Sequence, residues 1–327
     1  MRHVITGGSG FTGSYMASAL LKQGERVVVF DLDDPPSEIG SVDYVKGDIR
    51  HDADVKRLHL DKDDLIYHLA ARQFHGWVPR RNRDAWFANV NEGGTACLLR
   101  AMASASTQRL IFFSTDMTYG KPEYTPVAPT HVQRPIGPYG RSKVGAERLL
   151  ARANTEFGLK ATVFRPRLIA GAGRLGILRK LFWLIKNDFP VPLIGAGRNR
   201  YQMIAVEDCV SAALRAVERD CPPGPFNLGS KNPPAVRELL GELIRRAGSR
   251  SLLIPTPAMV VKATLSLTDR LGLSLLYPEQ FAVANLEYVL DTETTKTGLG
   301  WEPTKNDVDI IFSAYSSFLA GSEDAAA

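Results

Sequence analysis

Among its 327 residues this chain has only three cysteines, Cys97, Cys209 and Cys221, and no Cys-x-x-Cys pair. An odd number at such spacings excludes a disulfide framework, points to no metal centre, and leaves reduced, buried thiols. Long apolar runs are missing too. The most apolar late stretch, residues 252–267, is cut by Pro255, Pro257 and Lys262 and reads as loop plus helix, not as a membrane span. No charged leader and cleavage site precede the first apolar segment, His3-Val4-Ile5, so no secretory signal is visible and a cytoplasmic location is expected. A long run of one charge is also absent, although the net charge is +5. The densest basic cluster is Arg72, Arg80, Arg81 and Arg83 around Trp77. A solvated loop face explains it without a nucleic-acid partner; attraction of an anionic substrate is the other reading.

What is present is a regular alternation. Strands are expected at residues 2–6, 27–30, 44–45, 65–69, 110–114 and 161–164, with helices at 14–22, 91–103 and 139–154. Strands that alternate with helices pair in parallel through right-handed crossovers, which predicts an α/β, doubly wound sheet. After Pro166 proline and glycine become frequent and helical patterns dominate, at 176–186, 206–218, 236–247 and 257–270. This reads as a smaller, mostly helical lobe. Residues 225–229 read as a strand returning to the main sheet, so the lobes interleave: 1–165 with 201–229 in one, 166–200 with 230–320 in the other. Residues 321–327 are small and acidic and read as a disordered tail.

The first crossover carries chemistry. Residues 6–13 read Thr-Gly-Gly-Ser-Gly-Phe-Thr-Gly, with Gly7, Gly10 and Gly13 three apart, after a strand and at the start of a helix. Glycine permits the tight turn and close approach of a pyrophosphate, and the helix N-terminus offers unpaired N–H groups to its charge. Gly13 lets helix and sheet pack closely. Asp31 ends the next strand 18 residues beyond Gly13, where a carboxylate accepts hydrogen bonds from an adenosine ribose and repels a 2′-phosphate. Asp33 and Asp34 follow with no cation beside them, so NAD is expected over NADP. Asp48-Ile49, after the third strand, either holds the adenine edge or is a turn.

Tyr139-Gly140-Arg141-Ser142-Lys143 sets a phenol and an ammonium four apart on one helix face. A free tyrosine is a poor base near neutrality, and an adjacent cation favours its phenolate. Tyr139 then takes a proton from a substrate hydroxyl while hydride leaves the same carbon. Upstream, Ser114-Thr115-Asp116 ends a strand at the edge where open α/β sheets bind ligands, and Thr115 or Ser114 can donate to the developing carbonyl.

The strings TGGSGFTG, HLAA (68–71), FSTDMTYG (113–120), PYGRSK (138–143), FRP (164–166) and FNLGS (226–230) resemble the NAD-dependent epimerase/dehydratase family, the extended branch of the short-chain dehydrogenases. The resemblance covers nearly the whole chain. It implies Thr115, Tyr139 and Lys143 as the catalytic set, and cofactor contacts from Tyr139 and Lys143 as well as from Phe11, Thr12, Leu69, Ala70, Ala71 and Arg165. Asn91 with Gly94-Thr95 matches the family's Asn-x-x-Gly-Thr helix start. The resemblance also implies a homodimer, with the helix from Tyr139 paired to its copy.

The departures concern the substrate. Family dehydratases carry Asp-Glu after the threonine; here the pair is Asp116-Met117, so dehydration is disfavoured. Nucleotide-sugar epimerases carry an asparagine where Leu168 stands, and arginines where Tyr201 and Thr297 stand. Arg174, Arg198 and Arg200 either replace these contacts from the second lobe or are surface charges. Ser114, Asp116 and His75, in the loop after the fourth strand, are further candidates for substrate. The stripe Leu178, Phe182, Trp183 and Ile185 reads as packing. The resulting expectation is an NAD-dependent, 4-epimerase-like enzyme of a nucleotide sugar. A dehydrogenase or reductase of a less anionic alcohol or ketone stands second. A non-catalytic NAD sensor is disfavoured, because Tyr139 and Lys143 are both kept.

Overall fold

The computed structural model describes residues 1–327 apart from 75–77, 175, 177, 273–275 and 324–327; His75 therefore lies outside the described residues. The chain runs β1 (Arg2–Thr6), α1 (Phe11–Lys22), β2 (Arg26–Asp31), β3 (Asp43–Lys46), α2 (Asp52–Lys56), β4 (Leu65–His68), α3 (Arg83–Asn91), α4 (Gly93–Ser104), β5 (Arg109–Phe113), α5 (Pro138–Phe157) and β6 (Lys160–Pro166). It continues through β7 (Leu168–Ala170), α6 (Leu178–Lys186), β8 (Val191–Ile194), β9 (Met203–Ala205), α7 (Val206–Glu218), β10 (Phe226–Leu228), α8 (Val236–Arg246) and β11 (Leu253–Thr256). It ends with α9 (Ala258–Leu271), α10 (Pro278–Ala282), α11 (Glu293–Leu299) and α12 (Asp307–Glu323).

Seven of these strands form one parallel sheet in the order β10-β6-β5-β4-β1-β2-β3. The β-branched and aromatic strands are buried on both faces, as a parallel sheet with helices on each side requires. One face packs Ile5, Val29 and Tyr67 against Met16 and Leu20 of α1 and Val210 and Ala213 of α7. The other packs Val4, Ile66 and Phe112 against Leu98 and Met102 of α4 and Leu150 of α5. From β3 the chain returns across β1 to form β4, so the crossovers diverge there and a crevice opens beyond the carboxyl ends of β1 and β4. A separate apolar cluster joins Phe182 and Ile185 of α6, Leu243 of α8 and Ile311 and Tyr315 of α12.

Several elements differ from expectation. Asn91 ends α3 instead of opening a helix, and α4 starts at Gly93. A Cβ on Gly94 would come 2.6 Å from the Ile49 side chain, so the break lets α4 settle on the loop after β3. Past Pro166 the short strands β7, β8, β9 and β11 pair two by two; three or four residues each, they are too brief for a readable alternation. Residues 321–323, expected in a disordered tail, belong to α12. Trp183 leaves its packing stripe: it is half exposed and stacks on Phe189, while Leu178, Phe182 and Ile185 are buried. Nor is the basic cluster simply a solvated face. Arg83 forms a doubly bonded ion pair with Asp269, and Arg72 lies 4.2 Å over the Trp86 ring.

Candidate functional site

The crevice at β1 and β4 is a cleft of about 410 Å³. Its floor is the glycine loop. Gly7 has φ +75°, and a Cβ there would lie 2.5 Å from the backbone nitrogen of Ala70, so glycine is required for β1 to turn beside the end of β4. A Cβ on Gly13 would lie 2.2 Å from the Gly7 carbonyl, which seats α1 on the loop. Gly10 differs: the nearest protein atom to its Cβ would be 3.3 Å away, so the space its missing side chain leaves belongs to the cleft. α1 opens at Gly10 without a side-chain cap, and the N–H groups of its first turn, from Phe11, Thr12 and Gly13, lack intrahelical acceptors. These features fit an anionic pyrophosphate.

Asp31 ends β2 at the rim. Its carboxylate accepts from the backbone N–H of Ser9 at 3.0 Å and of Leu32 at 2.7 Å, which fixes the glycine loop to the β2 exit. Burial raises its pKa despite these bonds. Asp48, Ile49, Leu69, Ala70 and Ala71 line the cleft as expected. Arg50, Gln73, Trp86 and Val90 line it too and carried no signal in the sequence. The Asp48 carboxylate is held by Arg50, whose hydrogen bonds lower its pKa. Arg165 does not reach the cleft. Its guanidinium is bonded to both Glu147 oxygens, the Tyr119 hydroxyl and the Pro129 carbonyl, because β6 points it at the Glu147 face of α5.

Tyr139 and Lys143 lie on the buried face of α5, as their spacing predicts. The carbonyl of Tyr139 accepts from Ser142 Oγ at 2.8 Å, which in turn accepts from Asn91 Nδ2 at 2.8 Å. Asn91 also exchanges hydrogen bonds with the backbone of Arg72. The family asparagine thus fastens the catalytic helix to the loop after β4. His68 of the HLAA string bonds Thr6 and Thr95, and Thr95 donates to the Asn91 carbonyl. Since Thr95 spends its proton there, His68 Nε2 must carry the hydrogen it shares with Thr95. Burial keeps that imidazole neutral, with its pKa down to about 3.

The electrostatics correct one expectation. Burial pushes the Tyr139 phenol well above its ordinary range, and the cation that opposes this is Arg174, helped by the Thr115 hydroxyl; Asp116 and Glu279 push it further up. Burial also brings the Lys143 ammonium, 4.1 Å over the Phe112 ring, down to about 7, against the pull of Glu147. Desolvation of two groups on one buried face thus outweighs the help that the sequence assigns to the Lys143 cation.

Tyr139, Ser114, Thr115 and Asp116 open onto a second cavity, of about 240 Å³, which meets the first at Gln73. Arg174 lines it and also stacks 5.3 Å over Phe11 of the glycine loop. The Ser114 hydroxyl is turned away to Glu147. Asp116 is paired with Arg167, whose guanidinium carbon lies over the rings of both Tyr201 and Tyr288, at 4.2 and 4.0 Å from their centres. Arg167 was not expected as a site residue, because it stands between Pro166 and Leu168 at a position to which the motif gives no role. Arg200 is not in this cavity: it is exposed and paired with Glu287. Met117, Leu168, Ile169 and Val283 make part of the wall apolar.

Comparison with known proteins agrees with this geometry. The model of the NAD dependent epimerase/dehydratase family matches residues 3–229. An uncharacterised protein of Sinorhizobium fredii is 29% identical over 97% of this chain and 78% of its own length. A UDP-glucose 4-epimerase of Streptomyces lividans is 29% identical over 99% of this chain and 98% of its own length. The solved structure of the UDP-glucose 4-epimerase of Thermotoga maritima with UDP-glucose superposes with a TM-score of 0.77 at 25% identity, covering 98% of this chain and 99% of that one. Both the family and the cradle at Gly7, Gly10 and Asp31 assign NAD as the cofactor. A match over more than two thirds of the chain, on the segment that builds this cleft and carries Thr115, Tyr139 and Lys143, makes the chain a member of the NAD-dependent epimerase/dehydratase family of extended short-chain dehydrogenases.

Proposed function

We propose that this enzyme epimerises a nucleotide sugar at a secondary alcohol carbon, in the manner of a 4-epimerase. The observation that carries the reading is the shared cavity of Thr115 and Tyr139, joined at Gln73 to the dinucleotide cleft. NAD, when bound, supplies first the hydride acceptor and then the hydride donor, so epimerisation consumes no cofactor. Tyr139 removes the hydroxyl proton and later returns it. Thr115 donates a hydrogen bond to the oxygen as it becomes a carbonyl. Lys143 stands one helical turn along from Tyr139 and supplies a cation once its proton is held. Arg174 spans glycine loop and substrate cavity, so it suits the anionic link of the substrate. The nucleotide-sugar assignment draws on relatives named as UDP-glucose 4-epimerases. We further read residues 1–165 with 201–229 as the NAD-binding unit, 166–200 with 230–320 as the substrate lobe, and the assembly as a homodimer through α5.

One observation favours a second reading. Leu168 and Tyr201, where epimerases carry polar contacts, line the cavity, which suits a less anionic alcohol oxidised to a ketone that leaves. The two readings separate in one experiment. Protein denatured directly from purification is examined by mass spectrometry for NAD or NADH, then incubated with a panel of nucleotide sugars. Retained cofactor and interconversion of a sugar pair support epimerisation. A freely exchanging cofactor and steady NADH production select the dehydrogenase.

A further inference from the structure

α5 carries the residues of the reaction but has no side-chain cap of its own: Gly137 precedes it and Pro138 is its first residue. The cap comes from 140 residues away. Glu279, in α10, places one carboxylate oxygen 3.1 Å from the N–H of Tyr139 and the other 3.2 Å from that of Gly140. Its residue is 4% exposed. Room for it exists because residue 137 is glycine: a Cβ there would lie 2.0 Å from the Glu279 side chain. A carboxylate at a helix N-terminus satisfies N–H groups that would otherwise be orphaned and complements the helix dipole. Burying it without those bonds would be costly, so the contact is obligatory rather than incidental. The same short stretch also builds the substrate cavity, through Leu276, Gln280, Val283 and Ala284. Tyr277 stacks on Phe74 at 4.7 Å, and Phe74 meets the Tyr139 ring edge-on at 5.6 Å.

We propose that Glu279 is the positioning residue of Tyr139: one element of the substrate-binding side holds the backbone of the base and lines the chamber in which that base works. This rests on the assignment of Tyr139 as the base. The consequence is geometric and electrostatic. Geometrically, α10 sets where the phenol stands, and a small displacement of a reacting group is expensive in rate. Electrostatically, the Glu279 charge raises the Tyr139 pKa, together with Asp116, while Arg174 and the Thr115 hydroxyl lower it. Around Glu279 itself stand Arg141 and Asp84, which act in opposite directions, and burial keeps its own pKa raised.

The test uses the NAD-loaded protein and two readouts. The first is the ultraviolet absorbance of the Tyr139 phenolate against pH, with Tyr139→Phe in the same background as the blank. Glu279→Gln keeps the size but removes the charge, so the phenolate is expected to appear about one pH unit lower. Gly137→Ala, whose added Cβ displaces the carboxylate, is expected to shift it the same way. The second readout is turnover of the best substrate from the panel: kcat falls about tenfold or more while KM stays within a few-fold, because the base and not the bound substrate has moved. Glu279→Asp, one methylene shorter, should restore charge but not reach, recovering the titration more than the rate. A phenolate that titrates as in the wild type in both Glu279→Gln and Gly137→Ala overturns the proposal and leaves Glu279 a fold-stabilising cap. A shifted titration with no nucleotide sugar turned over would instead overturn the epimerase reading, since the absorbance needs no substrate.

Discussion

Two residues decide what the site can do, and each makes a prediction at its own scale. Tyr139→Phe removes one oxygen from a buried ring already packed by Phe74 and Phe87, so the fold and the NAD content should stay as they are. Turnover should fall by about 10²–10⁴-fold, the usual contribution of a positioned proton-transfer group. Measured cofactor stoichiometry beside the rate separates lost chemistry from lost binding. Lys143 makes a statement about pH. Its ordinary value of 10.5 falls to about 7 in the folded chain, from burial. Between about pH 7 and 10.5 the unfolded chain binds a proton that the folded one does not, so stability should rise with pH across this window and flatten below it. In NAD-free protein, urea midpoints at pH 7 and pH 9 should show that rise, and Lys143→Met should lack it. The Asp116–Arg167 pair shows how local the reading of a motif must be. The sequence offers Asp116 as a substrate group, yet its carboxylate is already occupied by an arginine that lies over two tyrosine rings.

At the scale of elements, the site is a matter of how helices begin. α1 begins on glycines that let β1 turn against the end of β4, and α5 begins on a glycine that admits a carboxylate from α10. Gly7→Ala should therefore cost stability and NAD together. Its Cβ meets backbone atoms of Leu69 and Ala70 at 2.7 Å or less, and its φ of +75° adds strain of about 1–3 kcal/mol. Calorimetric titration with NAD should show weaker binding, and a Gly7→Ala protein that binds NAD normally would contradict the role given to the turn. Elements were legible where periodicity was long: α7 was expected at residues 206–218 and spans Val206–Glu218. They were illegible where it was short, as in the three-residue strands β7 and β9. α3 was missed for another reason. Its nine residues bury only Phe87 and Asn91 fully, and what places it is packing along α5, a contact between segments some 50 residues apart.

For the whole molecule, NAD should act as a structural ligand. The cleft is assembled from the ends of β1, β2 and β4, the loop after β3 and residues of α3, and Arg174 reaches over the glycine loop from beyond β7. A ligand that binds the folded state alone adds about 2.7 kcal/mol at a hundredfold excess over its Kd. Thermal unfolding with and without NAD should show this as a concentration-dependent rise in Tm, and an unchanged Tm would deny the cleft its role. Among the described residues no helix is long and apolar enough to cross a membrane, in keeping with the broken apolar stretch at 252–267.

The cofactor and the proposed proton-transfer pair were legible in the sequence, because their signatures lie within one crossover and one helical turn. The glycine triplet, Asp31 and the Tyr139–Lys143 spacing are local, and backbone geometry alone carries them from text to shape. Only the tertiary structure decided which polar residues are free to meet a substrate. Arg165 and Ser114 were plausible ligands until α5 brought Glu147 to both of them. Arg200 seemed available until Glu287 met it at the surface, and although Arg174 was a candidate for substrate, nothing in the sequence announces that it or Glu279 acts on Tyr139. Those outcomes depend on pairings across tens to hundreds of residues. A buried charge must take whatever partner the packing supplies, and that partner is set by the fold as a whole.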